Sequence, residues 1–350
     1  MPAFPDHGSV LMGATAELSA ASPDIDDIVR LGKAVGDRLR ASILQVLNQD
    51  SYSVGELCNL FDVPQPALSH HLKILRQANL VARRREGNSL FYRRAALPSG
   101  STALSVFEDL DRRAIEPDLA ERIQHLHEQR NQRSAEFFAR NTAEISARQA
   151  EISEPAAYAD VVLEMIQQAV TEGLETGRAL EVGPGGGLIL TDLADVFDAV
   201  IGVDNSRAML DAARAALRET RRIRLKHLNF MDLPGQRRYD AMVAAMVVHH
   251  QASPSAFFHK AASVLHPGGA LVVAELCRHD QDWAADACGD QWLGFEPDEI
   301  DAWARHAGLT SVQSQYLAQK NGFRVQVHRF RSGAHKPSNS HSTQLDRRHD

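Results

Sequence analysis

At 350 residues, with hydrophobic residues at 44%, the chain is long enough for two domains with separate cores. It holds no run of about eighteen apolar residues, and the segment 1–22 lacks the basic-then-apolar order of a secretion signal, so a cytoplasmic protein without a membrane partner is expected. Cys58, Cys277 and Cys288 are too dispersed for a disulfide framework or a CxxC metal clip, and a net charge of -7 argues against nucleic acid if it is averaged over the chain.

The average hides an asymmetry. Residues 1–22 are rich in Ala, Ser, Gly and Pro, and residues 332–350 are Ser, His and Arg with almost no apolar content; both read as disordered ends, with scattered tail histidines His335, His341 and His349. Residues 23–98 read as short helices followed by a hairpin. Leu39, Ile43, Leu44 and Leu47 share one helical face, and Ser53 with Glu56 three residues on forms a capping box for the next helix. A further helix starts near Pro64, turns Leu68, Leu72 and Leu75 inward and ends at Asn79, a residue that tolerates the left-handed conformation. Leu80 to Arg85 and Ser89 to Arg93 flank Glu86-Gly87-Asn88 as a β-hairpin. From Pro64 to Arg94 the cations Lys73, Arg76, Arg83, Arg84, Arg85, Arg93 and Arg94 face the single anion Glu86. A recognition helix in the major groove needs short polar side chains for base edges and cations for phosphates. Gln65, Ser69, His70 and Lys73 supply the first set with one cation, and Arg83, Arg84 and Arg85 supply the wing.

Ala67-Leu68-Ser69-His70-His71-Leu72-Lys73-Ile74-Leu75 followed by Leu80-Val81-Ala82-Arg83-Arg84-Arg85-Glu86-Gly87 resembles the ArsR family of winged-helix repressors over residues 25–95. The resemblance implies a homodimer on a double-stranded DNA operator with two half-sites. Metal sensing, common in that family, is not expected: Glu56-Leu57-Cys58-Asn59-Leu60 offers one thiolate, and His125 and His127 point to different faces of a helix. No metal site is assigned.

Residues 99–154 read as a helical linker, helical throughout from Thr102, with dimerisation expected near Leu104 to Leu110 and a stripe that thins after Leu126. Residues 155–331 alternate strands with helices, which implies a parallel sheet: Arg178 to Val182, Ala199 to Val203, Ile223 to Leu228, Ala241 to Val247 and Ala270 to Ala274. Thr310 to Ala318 and Gly322 to Phe330 read as a terminal antiparallel pair. The fold class is therefore α/β, a Rossmann-like domain behind a winged helix-turn-helix.

Glu181-Val182-Gly183-Pro184-Gly185-Gly186-Gly187 follows a strand and opens a helix, and such a turn alone serves several nucleotides. Charge decides. A carboxylate at Glu181 repels a pyrophosphate and favours the ammonium of S-adenosylmethionine or S-adenosylhomocysteine. Asp204 stands at the end of the second strand, where an acid accepts both ribose hydroxyls, and Asp232 follows the third, placed for the adenine amino group. This half resembles the class I S-adenosylmethionine-dependent methyltransferases, with Tyr239-Asp240-Ala241-Met242 and Leu265-His266-Pro267-Gly268-Gly269-Ala270-Leu271 matching later motifs. The resemblance implies cofactor roles for Glu181, Gly183, Gly185, Gly187, Asp204, Asn205, Met209, Asp232 and Leu233. His249 and His250 stand where acceptor-side residues sit in that fold, and either could be a base or a packed residue. The whole architecture is similar to repressors that respond to S-adenosylhomocysteine. It leaves two readings: a sensor with a small-molecule effector, or an active methyltransferase on a quinone, metabolite or arsenite.

Overall fold

The computed structural model describes residues 24–333, apart from 88, 154, 218–220 and 320–321. The hairpin-tip residue Asn88, the first 22 residues and the tail histidines lie outside them. Ser332, assigned to a disordered tail by its polar neighbourhood, instead ends the last strand.

The amino-terminal unit contains α1 (Ile25–Val35), α2 (Arg38–Val46), β1 (Tyr52–Ser53), α3 (Val54–Phe61), α4 (Gln65–Gln77), β2 (Val81–Glu86) and β3 (Ser89–Arg94). Ser53 and Glu56 close both hydrogen bonds of the capping box and so fix the start of α3. On α4, Leu68, Leu72 and Leu75 lie one turn apart and are fully buried, and Asn79 takes a φ of 55° where the chain leaves the helix. The β2–β3 hairpin pairs antiparallel from Val81↔Arg94 to Glu86↔Ser89, and β1 adds to its other edge. This is a winged helix-turn-helix.

The linker is two helices, α5 (Thr102–Asp111) and α6 (Pro117–Ile152), in place of the continuous helix expected from the periodicity. Pro117 supplies the break, since the residue before a proline is pushed out of the helical region. Phe107 of α5, under the Arg94 guanidinium at 4.4 Å, and Leu119 of α6 belong to the winged-helix core.

The second unit contains α7 (Pro155–Thr171), β4 (Arg178–Val182), α8 (Leu188–Val196), β5 (Ala199–Asp204), α9 (Arg207–Ala216), β6 (Ile223–His227), β7 (Tyr239–Ala245), α10 (Pro254–Val264), β8 (Leu265–Leu276), α11 (Trp283–Cys288), α12 (Pro297–His306), β9 (Leu309–Ala318) and β10 (Arg324–Ser332). Its seven-stranded sheet runs β6-β5-β4-β7-β8-β10-β9. The first five strands are parallel, and β10 pairs antiparallel with β8 and β9. Ala179, Leu180 and Met242, Val243 are fully buried, because helices cover both faces of a parallel sheet. The fourth strand ends at Ala245, two residues earlier than its apolar run, where Met246 turns to a φ of 57°. Among the described residues no helix is long and apolar enough to cross a membrane.

Candidate functional site

Strand order reverses at β4, whose neighbours are β5 on one side and β7 on the other, and ligands of open α/β sheets bind outside the carboxyl ends at such a point. A cavity of about 360 Å³ opens there. Glu181 near the end of β4 with Gly183 and Gly185 after it, Asp204 closing β5 with Asn205 and Met209 after it, Asn229 and Phe230 after β6, and Val247, His250 and Gln251 after β7 all line it.

The glycines are needed by conformation and by space. Gly183 has a φ of 64°, and a Cβ there would stand 2.5 Å from Val247 Cγ2, whereas Gly185 faces open space. Gly187 does not line the cavity and instead caps α8 at a φ of 77°. Glu181 is 2% exposed, and its Oε2 has no hydrogen-bond partner among the described residues. Burial, then the Asp192 charge, pushes its carboxyl well above the usual range, and a cation set beside it would offset both effects. Burial likewise pushes Asp204 up to about 6, against the pull of the Ser206 N–H, which donates to Oδ1 at 2.7 Å. Two desolvated acids and an open glycine turn fit an amino-acid nucleoside with a free ammonium and ribose hydroxyls.

Two expected contacts are corrected. Asp232 is exposed outside the cavity, and Leu233 is buried in the core next to Phe230. A short 3-10 turn over Phe230–Asp232 winds the chain away from the cavity, and Asn229, whose side chain caps that turn by accepting from Met231 N–H, takes the place at the wall. The two acceptor-side histidines also part. His250 lines the cavity, whereas His249 lies behind it, 2% exposed, with Nδ1 2.7 Å from Glu275 Oε2 and Nε2 3.6 Å from Asp290 Oδ1. Burial alone would lower the His249 pKa, but the two carboxylates raise it to about 9. His249 is therefore no poised base.

On the winged helix, Gln65, Ser69, His70 and Lys73 are exposed along one face of α4, and Arg83 and Arg85 are exposed on β2. Arg84 is not. Strand alternation turns it to the opposite face, where its Nη1 donates to Glu299 Oε2 at 2.8 Å, its Nε lies 2.5 Å from Glu86, and its guanidinium covers the Trp292 ring at 5.4 Å. Its side chain keeps 8% of its exposure, so the expected phosphate contact is corrected to a link between the two units. Arg93 likewise pairs with Glu299, and Arg94 with Asp111.

The junction holds a second buried arginine that the sequence did not single out. Arg130 of α6 donates to both oxygens of Glu56 at 3.0 and 2.9 Å, to Ser51 O at 3.1 Å and to Ala252 O at 2.9 Å. Its guanidinium lies over Tyr52 and Trp292. Asn131 and Ser134, the next residues of α6 on that side, line the cavity. Glu86 accepts from Leu293 N–H and Arg278, and Trp303 Nε1 donates to Gln49 O, so wing and sheet domain are joined along a continuous seam.

Comparison with known proteins agrees with this division. Residues 37–83 match the model of the bacterial regulatory protein, arsR family, and residues 180–273 match that of a methyltransferase domain. Over 60 residues the chain is 35% identical to the transcriptional repressor SdpR of Bacillus subtilis, covering 17% of this chain and 67% of that one. Over 156 residues it is 31% identical to a ubiquinone biosynthesis O-methyltransferase of Alkalilimnicola ehrlichii, covering 39% of this chain and 62% of the relative. The chain thus spans about three-fifths of the length of such methyltransferase relatives. Among solved structures, the N-methyltransferase NodS from Bradyrhizobium japonicum WM9, in complex with S-adenosyl-L-homocysteine, is similar with a TM-score of 0.43 and 16% identity, covering 55% of this chain and 99% of that one.

Proposed function

We propose, from the premise that this chain belongs to the ArsR family of bacterial regulatory proteins and carries a methyltransferase domain behind its winged helix, that it is a cytoplasmic transcription regulator whose sheet domain binds S-adenosylmethionine or S-adenosylhomocysteine as effector. Arg130 carries this reading. It ties Glu56 of the helix-turn-helix to Ala252 of the sheet domain, and its neighbour Asn131 is part of the cavity wall. A ligand against that wall bears on the helix whose preceding residue, Arg130, holds the DNA-reading unit, and a ligand shifts an equilibrium only through such differential contact.

In this reading Glu181 holds the ammonium, Asp204 the ribose hydroxyls, and Asn205, Met209 and Asn229 the rest of the nucleoside. Gln65, Ser69, His70 and Lys73 face the bases and the phosphates beside them, while Arg83 and Arg85 hold the backbone across the wing. Of the pairing surface expected near Leu104 to Leu110, Phe107 and Leu110 pack into the winged-helix core, and Ile25, Ile28 and Val29, exposed at helical spacing on α1, support pairing of two copies on an operator with two half-sites. The repressor role follows the same reading.

A second reading, an active methyltransferase under winged-helix control, draws on His250 at the cavity wall and on the likeness to O-methyltransferases. Calorimetry with both nucleosides, binding to a duplex selected by the protein from a random pool at fixed salt, and transfer of labelled methyl groups to candidate acceptors separate the two. Ligand-dependent operator binding without turnover supports the sensor. Turnover that is lost in His250→Gln, with operator binding indifferent to either nucleoside, replaces it with the enzyme.

A further inference from the structure

Behind the cavity, the end of β7 meets the loop that precedes Trp292. Gln291 and Trp292 N–H groups both donate to His249 O, at 3.0 and 3.2 Å, and so press Asp290 against the two histidines. The Asp290 side chain retains 1% of its exposure, and neither of its oxygens has a hydrogen-bond partner among the described residues. The nearest positive charge is the His249 ring, whose Nε2 stands 3.6 Å from Oδ1, beyond hydrogen-bond distance, so the buried carboxylate is compensated by charge but not by hydrogen bonds. Candidate ligand atoms of His249, His250 and Asp290 lie within 4.8 Å of one another.

We propose that His249, His250 and Asp290 form a binding site for a divalent first-row transition ion at the wall of the nucleoside cavity. Donor spacing supports it. Bonds of about 2.0–2.2 Å in a tetrahedron put neighbouring donors roughly 3.4 Å apart, and His249 Nε2 stands 3.6 Å from Asp290 Oδ1; His250 Nδ1 stands 3.7 Å from the same oxygen and must give up its 3.3 Å contact with Gly289 O to bind an ion. The shell behind them is already built. Glu275 Oε2 lies 2.7 Å from His249 Nδ1 and, by accepting its proton, leaves Nε2 aimed at Asp290, the arrangement in which an outer carboxylate orients a metal-binding imidazole. Glu275 is itself pinned, because its Oε1 accepts from the Val247, Val248 and His249 N–H groups.

Charge points the same way. One dication between the imidazoles would balance both buried carboxylates, Glu275 and Asp290, in place of the single proton on His249. Two nitrogens and one oxygen are borderline donors that suit zinc, cobalt or iron, and three protein ligands leave a position open. His250 belongs to the cavity wall, so the ion stands beside whatever occupies the cavity.

The test is a cobalt titration of the full-length chain after treatment with a chelator, followed by displacement with zinc. One equivalent per chain is expected to bind, with the visible absorption of low-coordinate cobalt. Asp290→Asn, which removes no hydrogen bond of this structure, is expected to weaken binding by roughly 100-fold or more, and His250→Asn to do the same with an independent ligand. Replacing His335, His341 and His349 together with Gln is expected to leave the site intact. Failure to bind one equivalent, persistence of the cobalt spectrum in a folded Asp290→Asn or His250→Asn chain, or its loss in the tail variant overturns the proposal.

Discussion

Asp204 meets the cavity with a carboxyl that burial has raised to about 6 from 3.8, and Glu181 with one that burial has also raised. Without a ligand, a raised acid means that folding stability falls as pH climbs from the ordinary value through the folded one. A nucleoside that needs the ionised acid moves the other way: S-adenosylhomocysteine binding is predicted to weaken by roughly ten-fold between pH 7.5 and pH 5, and calorimetry at both values measures it. In Asp204→Asn the affinity is low and the Asp204 share of that pH dependence is lost. On the wing, Arg83→Ala is predicted to lower the slope of log affinity against log salt for DNA by about 1. Arg84→Ala is predicted to leave that slope unchanged while destabilising the fold by about 1–3 kcal/mol, since Glu299 and Glu86 lose a buried partner but keep Arg93 and Arg278; salt titrations and denaturant melts distinguish them. Part of this was legible. The period of two along β2 already sends Arg84 opposite to Arg83 and Arg85, whereas nothing in Asn229 to Asp232 says which polar side chain of a tight turn faces the ligand.

Among elements, the strand-to-helix turn after β4 is the most constrained. Gly183→Ala is predicted to abolish nucleoside binding, because a methyl at a φ of 64° and 2.5 Å from Val247 Cγ2 forces the turn or the β7 end to move; calorimetry on the folded variant shows it, and unaltered affinity refutes it. The strands, the hairpin and the α3 cap were readable because periodicity and capping are local properties. Helix α6 was not. Its apolar stripe thins after Leu126, which reads as a solvated connector, yet Arg130 is buried there by partners as far along the chain as Ala252. A long-range contact made by a charged residue leaves no mark in hydrophobic spacing.

At the scale of the whole molecule, both units were foreseen, and the seam between them was not. Seven cations in one segment looked like a groove reader; the structure leaves Lys73, Arg76, Arg83 and Arg85 exposed on it and spends Arg84 and Arg93 on the sheet domain. Docking of two domains depends on surface pairs that only three-dimensional placement brings together. The central claim is that the nucleoside cavity and the DNA-reading face are energetically coupled through this seam. The direct measurement is the dissociation constant of S-adenosylhomocysteine with and without saturating selected duplex, at one salt concentration. Reciprocity predicts a change of about 5-fold or more with DNA bound, matched by the same factor in DNA affinity when the nucleoside is present. Tight nucleoside binding with equal constants in both arms contradicts the account.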